Sequence, residues 1–204
     1  MAKLLQATID TVAEVGYART SVNEVCRRAG VSTGGLFRHF ATREDLLVAA
    51  MGEVARRHLD EARSQLDGVS FDDERGIETA VRRLRDITRG PTNAVYYELL
   101  IACRTDQGLA DKLRPTLLAY YLQVLQLGAE LFGIEEDPDR LFESFLFGIL
   151  TIIEGETVGR AFGRDPDLEE RRLAWLVQVA EATIPRLKRR ADVGADVSVS
   201  DIDP

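Results

Sequence analysis

The sequence predicts an all-α fold of about nine helices, with a three-helix helix-turn-helix domain at the N-terminus and a larger helical domain after it. Apolar residues recur at helical spacing along almost the whole chain of 204 residues. Capping residues and glycine or proline breaks separate these stretches. The sequence contains no strand-hairpin pattern and no glycine-rich phosphate loop. A hydrophobic content of 45% allows a substantial buried core.

The first predicted helix carries an apolar stripe that has to cover the helices following it. The members of the stripe are Leu4, Leu5, Thr8, Ile9, Val12 and Ala13. We expect the helix-turn-helix domain at residues 1–47, with the motif itself at residues 21–40. A second helical domain is expected at residues 48–190, followed by a disordered acidic tail at residues 191–204.

The first helix of the motif has clear start and stop signals. Ser21 is a natural N-cap, and Glu24, three positions later, completes a capping box. Gly30 suits the left-handed conformation that commonly ends a helix. These signals predict a short helix that ends in a tight turn.

A second short helix is predicted at residues 33–39, where Ser32 supplies the N-cap. Leu36 and Phe40 are the evident core anchors of this helix. Its other side chains are therefore left facing outward. A helix-turn-helix motif presents its second helix to the major groove of DNA in this way.

Six further helices follow, each bounded by a capping residue, a glycine or a proline. Thr42 caps the first of them and is expected to form a capping box with Asp45. Residues 106–132 are expected to form a short turn and then a long helix after Pro115. The predicted limits of the six are 42–66, 72–89, 92–105, 106–132, 139–162 and 167–190.

The charge of the chain is divided unevenly. The whole chain has a net charge of −8, yet residues 1–43 carry +3 and the remainder carries −11. Positive charge is therefore concentrated where phosphates would be met, while the acidic remainder would be repelled by DNA. This asymmetry favours a small DNA-contacting domain on a larger non-contacting one. It disfavours a protein that coats DNA without regard to sequence.

Residues 3–49 carry several short motifs in register. The motifs are Ala7, Val15-Gly16-Tyr17, Thr20-Ser21-Val22, Ala29-Gly30-Val31-Ser32, Gly35-Leu36-Phe37, His39-Phe40 and Arg43-Glu44-Asp45-Leu46-Leu47. In these motifs the segment resembles the N-terminal DNA-binding domain of the TetR family of bacterial transcriptional regulators. The family usually has tyrosine at the place of Phe37 and lysine at that of Arg43. The resemblance implies a sequence-specific regulator that binds a near-palindromic operator as a homodimer, usually a repressor released by a ligand.

The residues expected to contact double-stranded DNA lie mainly in the second motif helix. Thr33 can reach a base edge or a thymine methyl group, and Gly34 and Gly35, both expected on the exposed side, let the backbone approach closely. Arg43 lies where the free N–H groups of the fourth helix also attract phosphate. Ser21 is equally well explained as a cap. The expected set is Thr20, Ser21, Ser32, Thr33, Gly34, Gly35, Phe37, Arg38, His39 and Arg43.

The eighth and ninth predicted helices offer a surface for dimer formation. Glycines along one side of the eighth helix allow another helix to approach closely, which favours a four-helix bundle made by two subunits. Packing of this face within one chain is the alternative. The expected interface comprises Leu141, Phe145, Gly148, Ile152, Gly155, Gly159, Leu173, Leu176 and Val179.

The sixth predicted helix is apolar on nearly all sides and is therefore expected to be enclosed. We expect a small, largely apolar effector molecule to fit between helices five to eight. Aromatic residues at helical spacing are also explained by an ordinary core. Glu98 either pairs inside the fold, which we favour, or faces a cavity. The expected pocket residues are Tyr96, Tyr97, Glu98, Leu100, Tyr120 and Tyr121.

The sequence does not indicate an enzyme. Glu154 and Glu156 are two positions apart and face different sides of a helix, and no serine or cysteine has the setting of a nucleophile. The two histidines have no cluster of metal ligands beside them, so no metal or cofactor is expected. Cys26 and Cys103 are expected to be reduced, as in the cytoplasm.

A helical adaptor that keeps the motif without using it on DNA is the alternative function. A preference for particular DNA sequences would distinguish the two. The apolar runs are too short to span a bilayer, and the N-terminus does not have the pattern of a secretory leader. We therefore expect a cytoplasmic protein that does not interact with membranes.

Overall fold

The computed structural model describes residues 1–71 and 74–195 and confirms the all-α class. Within these residues the chain forms nine helices. They are α1 (Ala2–Val15), α2 (Val22–Ala29), α3 (Thr33–Phe37), α4 (Arg43–Leu66), α5 (Glu74–Thr88), α6 (Pro91–Ala102), α7 (Gln107–Phe132), α8 (Leu141–Gly159) and α9 (Pro166–Ala195).

The start of α7 differs from the prediction. The helix begins at Gln107 and continues through Pro115, so the expected turn before this proline is wrong. Asp106 explains the early start, because its Oδ1 accepts a hydrogen bond from the Leu109 N–H (2.9 Å) and caps the helix.

The end of α9 also differs from the prediction. The helix extends to Ala195, so the first residues of the expected acidic tail are helical. The rest of that tail, residues 196–204, lies outside the described residues.

The chain forms two compact units. The first consists of Met1–Glu61 and Arg89–Gln123, and the second of Ala62–Thr88 and the residues from Val124 onward. The first unit therefore contains α6 and the first part of α7 as well as the helix-turn-helix motif.

Two buried clusters hold the first unit together. One lies beneath the motif and contains Leu4, Ala7, Val25, Cys26, Leu36, Phe40 and Leu46. The other joins α1 and α4 to α6 and α7 through Ile9, Val12, Leu47, Ala50, Met51, Val54, Val95, Leu99, Leu109 and Leu113. Because α1 and α4 contribute to both clusters, the motif is packed on the helices that follow it.

The second unit has one core, built from α5, α8, α9 and the end of α7. The Phe132 ring lies 4.3 Å from that of Phe71 and 5.5 Å from that of Phe142, measured between ring centres. Ile153 of α8 and Leu173 of α9 are almost completely buried in the same cluster. The inner sides of α8 and α9 are therefore used within one chain.

Candidate DNA interface

The α2 helix is held by the cap and the turn that the sequence predicts. Ser21 Oγ accepts a hydrogen bond from the Glu24 N–H (3.2 Å). Gly30 ends the helix in the left-handed conformation at φ 68°, and the Val31 N–H donates to the Cys26 carbonyl (3.1 Å). This turn fixes the direction in which the chain enters α3.

Ion pairs fix α2 against α1. The Glu24 carboxylate accepts hydrogen bonds from Arg27 (2.7 Å) and Arg28 (2.6 Å), and Arg28 also donates to Glu14 of α1 (2.6 Å). The hydrogen bonds from Arg27 and Arg28 lower the pKa of Glu24 to about 2. Both arginines are therefore engaged with carboxylates of the motif.

The α3 helix has a narrow buried side and a broad exposed side. Leu36 is fully buried and Phe40 is 7% exposed, so both anchors lie where the sequence predicts them. Ser32 Oγ accepts a hydrogen bond from the Gly35 N–H (3.1 Å) and caps the helix. The exposed residues of this segment are Ser32, Thr33, Gly34, Phe37, Arg38 and His39.

The α3 helix is shorter than predicted and spans Thr33–Phe37. The Leu36 carbonyl accepts hydrogen bonds from the His39 N–H (2.9 Å) and the Phe40 N–H (3.1 Å). These bonds turn the chain out of the helix. Arg38 and His39 therefore project from the turn that ends α3.

The two glycines of α3 have different surroundings. A Cβ atom at Gly34 would meet no atom within 4 Å, so this position exposes open backbone. A Cβ atom at Gly35 would lie 3.3 Å from Ser32 Oγ. Gly35 is half-buried, so the expectation that both glycines are exposed is wrong for Gly35, whose small size accommodates the cap.

Thr20 does not offer its side chain to DNA. It is 5% exposed, and its hydroxyl donates to the Gly16 carbonyl (2.8 Å). The predicted DNA contact of Thr20 is therefore corrected, because the side chain closes the loop between α1 and α2.

Arg43 holds the same loop. Its Nε donates to the Thr20 carbonyl (2.9 Å) and its Nη2 to the Tyr17 carbonyl (2.5 Å). The guanidinium carbon lies 4.4 Å from the centre of the Tyr17 ring, and Nη1 lies 3.6 Å from Glu44. These contacts engage two of the five guanidinium N–H groups with backbone carbonyls, and the contact of Arg43 with a phosphate stays a prediction.

Tyr17 connects the α1–α2 loop to α6 and α7, a role that the sequence analysis missed. Its hydroxyl donates to Asp106 Oδ2 (2.5 Å), and its N–H donates to Glu98 Oε1 (2.7 Å). In the sequence, the one feature that could have indicated this role is that Tyr17 follows Gly16 in the Val15-Gly16-Tyr17 motif.

Glu98 is paired inside the fold, as we favoured from the sequence. Besides accepting the Tyr17 N–H, its Oε1 would lie 2.7 Å from a Cβ atom at Gly16, which has a φ of 79°. A side chain at Gly16 would therefore be strained and would displace the carboxylate. The assignment of Glu98 to an effector pocket is corrected accordingly.

A second link joins the start of α4 to α7. Thr42 and Asp45 form the predicted capping box, with the Asp45 N–H donating to Thr42 Oγ1 (3.1 Å) and the Thr42 N–H to Asp45 Oδ2 (3.0 Å). Lys112 Nζ donates to both side chains, at 2.8 Å and 2.7 Å. The helix-turn-helix is thus bonded to α7 at two places within the first unit.

Three of the tyrosines predicted to line a pocket lie together. The Tyr96 ring centre is 5.5 Å from that of Tyr97 and 5.8 Å from that of Tyr120. Leu100 and Tyr121, from the same two helices, are half-buried.

His58 of α4 belongs to the same cluster and was missed. Its Nδ1 lies 3.2 Å from the Tyr120 hydroxyl and its Nε2 lies 2.9 Å from Thr92 Oγ1. Burial lowers the pKa of His58 to about 4, so the ring is neutral at neutral pH. His58 continues the apolar stripe of Met51 and Val54 at helical spacing, and this register could have revealed its burial.

The glycine stripe of α8 is open at the surface of the single chain. Gly148, Gly155 and Gly159 are exposed, and a Cβ atom at any of them would meet no atom within 4 Å. Trp175 is 52% exposed and Phe162 is 92% exposed, and the sequence analysis overlooked both. Of the other predicted interface residues, those that are exposed or half-buried are Leu141, Phe145, Ile152 and Val179.

Two residues of the predicted interface are corrected. Leu173 is 1% exposed and Leu176 is 2% exposed, and both belong to the core of the second unit. They have no surface to offer another subunit. The helical spacing of α9 identified apolar positions but could not separate the inner side of the helix from the outer one.

The described residues give no sign of a metal site or a membrane segment. No three histidine, cysteine, aspartate or glutamate side chains among them are grouped so as to hold a metal ion. None of the helices that the structure describes has the length and apolar character needed to cross a bilayer.

Comparison with known proteins identifies the family. Residues 4–50 match the family model described as bacterial regulatory proteins, tetR family. An HTH-type transcriptional regulator of Mycobacterium tuberculosis is 40% identical over 182 residues, which cover 89% of this chain and 93% of that protein. The chain belongs to the TetR family.

Solved structures of this family share its fold. A TetR-family regulator from a Rhodococcus species has a TM-score of 0.65 at 20% identity, covering 88% of this chain and 97% of that one. FadR of Bacillus subtilis, in complex with stearoyl-CoA, has a TM-score of 0.58 at 15% identity, covering 91% and 96%. As a member of the TetR family, the protein is a DNA-binding transcriptional regulator with a helix-turn-helix motif.

Proposed function

We propose that this TetR-family protein is a repressor that binds a near-palindromic operator as a homodimer and is released by a small molecule. The observation that carries the proposal is the exposed side of α3, held outward by buried Leu36 and Phe40. The similarity to known regulators extends over most of the chain, which supports a regulatory rather than an enzymatic role. We place this role in the cytoplasm. We assign operator binding to residues 1–47 and the ligand and dimer functions to residues 48–190.

The proposed DNA contacts follow from exposure. Thr33 reads a base edge or a thymine methyl group, and Gly34 allows close approach of the backbone. Phe37, 50% exposed, packs on sugar or a thymine methyl group, and it lacks the hydroxyl of a tyrosine. Arg38 and His39 contact bases or phosphates from the turn after α3. Ser21 and Ser32 each have a hydroxyl hydrogen left to donate to a phosphate, and Gly35 supports this surface by accommodating the Ser32 cap.

The dimer is proposed to form through the outer sides of α8 and α9. Open glycines at positions 148, 155 and 159 support close helix packing. Exposed Trp175 and Phe162 add apolar surface of the kind that enriches subunit interfaces. Leu141, Phe145, Ile152 and Val179 complete the proposed contact.

A small, largely apolar effector is proposed to bind at the tyrosine cluster of the first unit. The cluster consists of Tyr96, Tyr97 and Tyr120, together with His58. Half-buried Leu100 and Tyr121 of the same helices complete the proposed site. That a structural neighbour, FadR of Bacillus subtilis, binds stearoyl-CoA supports a ligand-binding role for this fold. The neutral imidazole offers a hydrogen-bonding group without a charge.

Release of DNA is proposed to pass through the contacts of Tyr17. Displacement of α6 or α7 by an effector would move Glu98 and Asp106, which hold the loop before α2. The two motifs of a dimer would then lose the spacing that fits adjacent major grooves.

The proposed function is tested by DNA binding to the region upstream of the protein's own coding sequence. Fluorescence anisotropy is measured against rising salt for this fragment and for a shuffled fragment of equal composition. We expect a preference for the upstream fragment that persists as salt rises. Equal affinity for both fragments at every salt concentration would leave only the adaptor role.

A further inference from the structure

A pocket of about 380 Å³ lies where the end of α8 meets the start of α9, within the second unit. Its apolar wall is formed by Ile152, Gly155 and Gly159 of α8 and by Leu168 of α9. A Cβ atom at either glycine would meet no atom within 4 Å. The absence of side chains at these two positions therefore keeps the hollow open. We call it the α8–α9 pocket.

Two arginines that line the α8–α9 pocket are already paired with carboxylates of the same chain. Arg172 Nη1 lies 3.0 Å from Glu156, and Arg160 Nε lies 3.5 Å from Glu169. Neither guanidinium is left without a counter-charge, so the pocket is not built for an anion. Its glycines, Ile152 and Leu168 fit a mainly apolar occupant instead.

Trp175, the sole tryptophan of the chain, projects from the same face of the protein. Leu168, Arg172 and Trp175 follow one another at intervals of four and three residues, so they lie along one side of α9. Trp175 is 52% exposed, although a large aromatic ring gains free energy when it is buried. This face therefore carries an unfilled hollow and, beside it, an uncovered apolar side chain.

Two copies of this face can cover both features at once. In a two-fold dimer each subunit uses the same surface, so a contact from one region to another occurs twice, once in each direction. If the two pockets faced each other, they would leave a void in the interface, and a void loses dispersion contacts. If each indole enters the pocket of the other subunit, both hollows are filled.

We propose that Trp175 of each subunit fills the α8–α9 pocket of its partner and thereby determines self-recognition. The inference rests on the proposed homodimer and adds the contact that specifies it. The indole would lie beside the guanidinium of Arg172, which favours an aromatic face. Its N–H would find an acceptor in the carboxylate of Asp165, which lines the pocket and caps α9 at the Leu168 N–H (3.1 Å).

Phe162 is also exposed but is a poorer occupant of the pocket. It lies in the turn after α8, at one end of the face. A contact centred on Phe162 would leave Trp175 and the glycine at position 148 uncovered. A contact centred on Trp175 covers most of the face.

The experiment exchanges the indole and the pocket between two full-length variants. Trp175→Ala removes the indole and keeps the pocket, whereas Gly159→Phe keeps the indole and fills the pocket. Because Trp175→Ala contains no tryptophan, the tryptophan fluorescence of a mixture reports on the Gly159→Phe protein alone. The matched control partner carries both changes and so offers neither the indole nor the pocket. Circular dichroism checks that every variant is folded.

Each single variant is expected to dimerise at least about thirtyfold more weakly than the wild-type protein in sedimentation equilibrium, as for the loss of an interface anchor. Adding Trp175→Ala to Gly159→Phe is expected to restore association and to move the tryptophan emission to shorter wavelength. The control partner is expected to do neither. In the wild-type protein, dilution below the dissociation constant is expected to move the emission to longer wavelength.

The outcomes separate this contact from the dimer itself. A wild-type dimer combined with equal emission shifts for the two partners would overturn the placement of Trp175 and leave the dimer standing. The same holds if the mixture associates no better than the single variants. A wild-type protein that stays monomeric would contradict the dimer and this contact together.

Discussion

The Tyr17 hydroxyl donates a hydrogen bond to the Asp106 carboxylate across 2.5 Å and joins the α1–α2 loop to the start of α7. Burial, followed by this bond, raises the pKa of Tyr17, and the same bond is the first cause of the lowered pKa of Asp106. Arg43 lies over the same ring and donates to the Tyr17 carbonyl. The position of the helix-turn-helix thus depends on residues far along the chain.

Tyr17→Phe is expected to lower the Tm by about 3–6 °C, since it removes a hydrogen bond to a charged acceptor. Asp106→Asn keeps an oxygen for the cap on Leu109 but weakens the bond to Tyr17. In a double-mutant cycle the two changes together are expected to cost less than the sum of the single changes. Strict additivity in thermal unfolding would show that the two side chains do not interact.

Arg43→Lys is expected to destabilise the protein although it keeps the charge. A lysine ammonium cannot reproduce the planar guanidinium that reaches the Thr20 and Tyr17 carbonyls together. Arg38→Lys, an exposed matched change, is expected to leave the Tm unchanged. Equal Tm values for Arg43→Lys and the wild-type protein would mean that the clamp contributes nothing to stability.

Local features of the motif were predictable because each depends on residues three or four positions apart. The Ser21 and Ser32 caps, the Gly30 turn and the anchors Leu36 and Phe40 lie where the sequence places them. Short-range rules also gave the capping box of α4, whose partners are three residues apart.

The sequence could not show which side chains are free to contact DNA or a ligand. Their partners within the fold are remote in sequence. Tyr17 meets Glu98 over 81 residues and Asp106 over 89 residues. Helical spacing likewise marked Leu173 as apolar without showing that it faces its own core. Thr20 and Arg43 resembled surface polar residues until their backbone acceptors were located.

Arg38→Ala is expected to reduce operator affinity about tenfold, because the exposed guanidinium lies beside α3 where it can meet a base or a phosphate. Thr33→Ala is expected to relax the choice of base at one position of each half-site. Arg114→Ala, which removes an exposed charge from α7, serves as the control in the same anisotropy assay. A loss for Arg114→Ala as large as that for Arg38→Ala would point to nonspecific charge alone.

Acidification is expected to destabilise the fold through His58. Its pKa of about 4 lies below the ordinary value of 6.5, so the unfolded chain takes up this proton first as the pH falls below 6.5. The free energy of unfolding therefore decreases between about pH 6.5 and about pH 4, by about 3 kcal/mol in total. Urea unfolding of the wild-type protein and of His58→Gln is measured from about pH 7.5 to about pH 4.5.

The quantity to compare is the difference in the free energy of unfolding between the wild-type protein and His58→Gln at each pH. Both proteins contain Glu154, which stabilises the fold on acidification where His58 destabilises it. Burial raises the folded-state pKa of Glu154 to about 7, above the ordinary 4.5, so its contribution grows as the pH falls between these values. The advantage of the wild-type protein over His58→Gln is expected to shrink on acidification. An advantage that stays constant with pH would contradict a buried, neutral imidazole.

Gly155→Leu is expected to weaken dimer formation at least about tenfold without unfolding the subunit. A side chain at this position meets open space in the single chain, but it would hold two closely packed helices apart. Sedimentation equilibrium measures the dissociation constant, and circular dichroism checks the helix content. Asp86→Leu, at an exposed position of α5, is the control. Unchanged dimer affinity of Gly155→Leu would place the interface elsewhere.

The selection of genomic DNA fragments by the purified protein tests the central claim most directly, namely that the exposed side of α3 reads a specific operator. Fragments bound at physiological salt are sequenced before and after Thr33→Ala and Arg38→Ala are introduced together. We predict one enriched, near-palindromic sequence that the double variant no longer selects. Fragments bound in proportion to their abundance, or an enrichment that the double variant retains, would contradict the account.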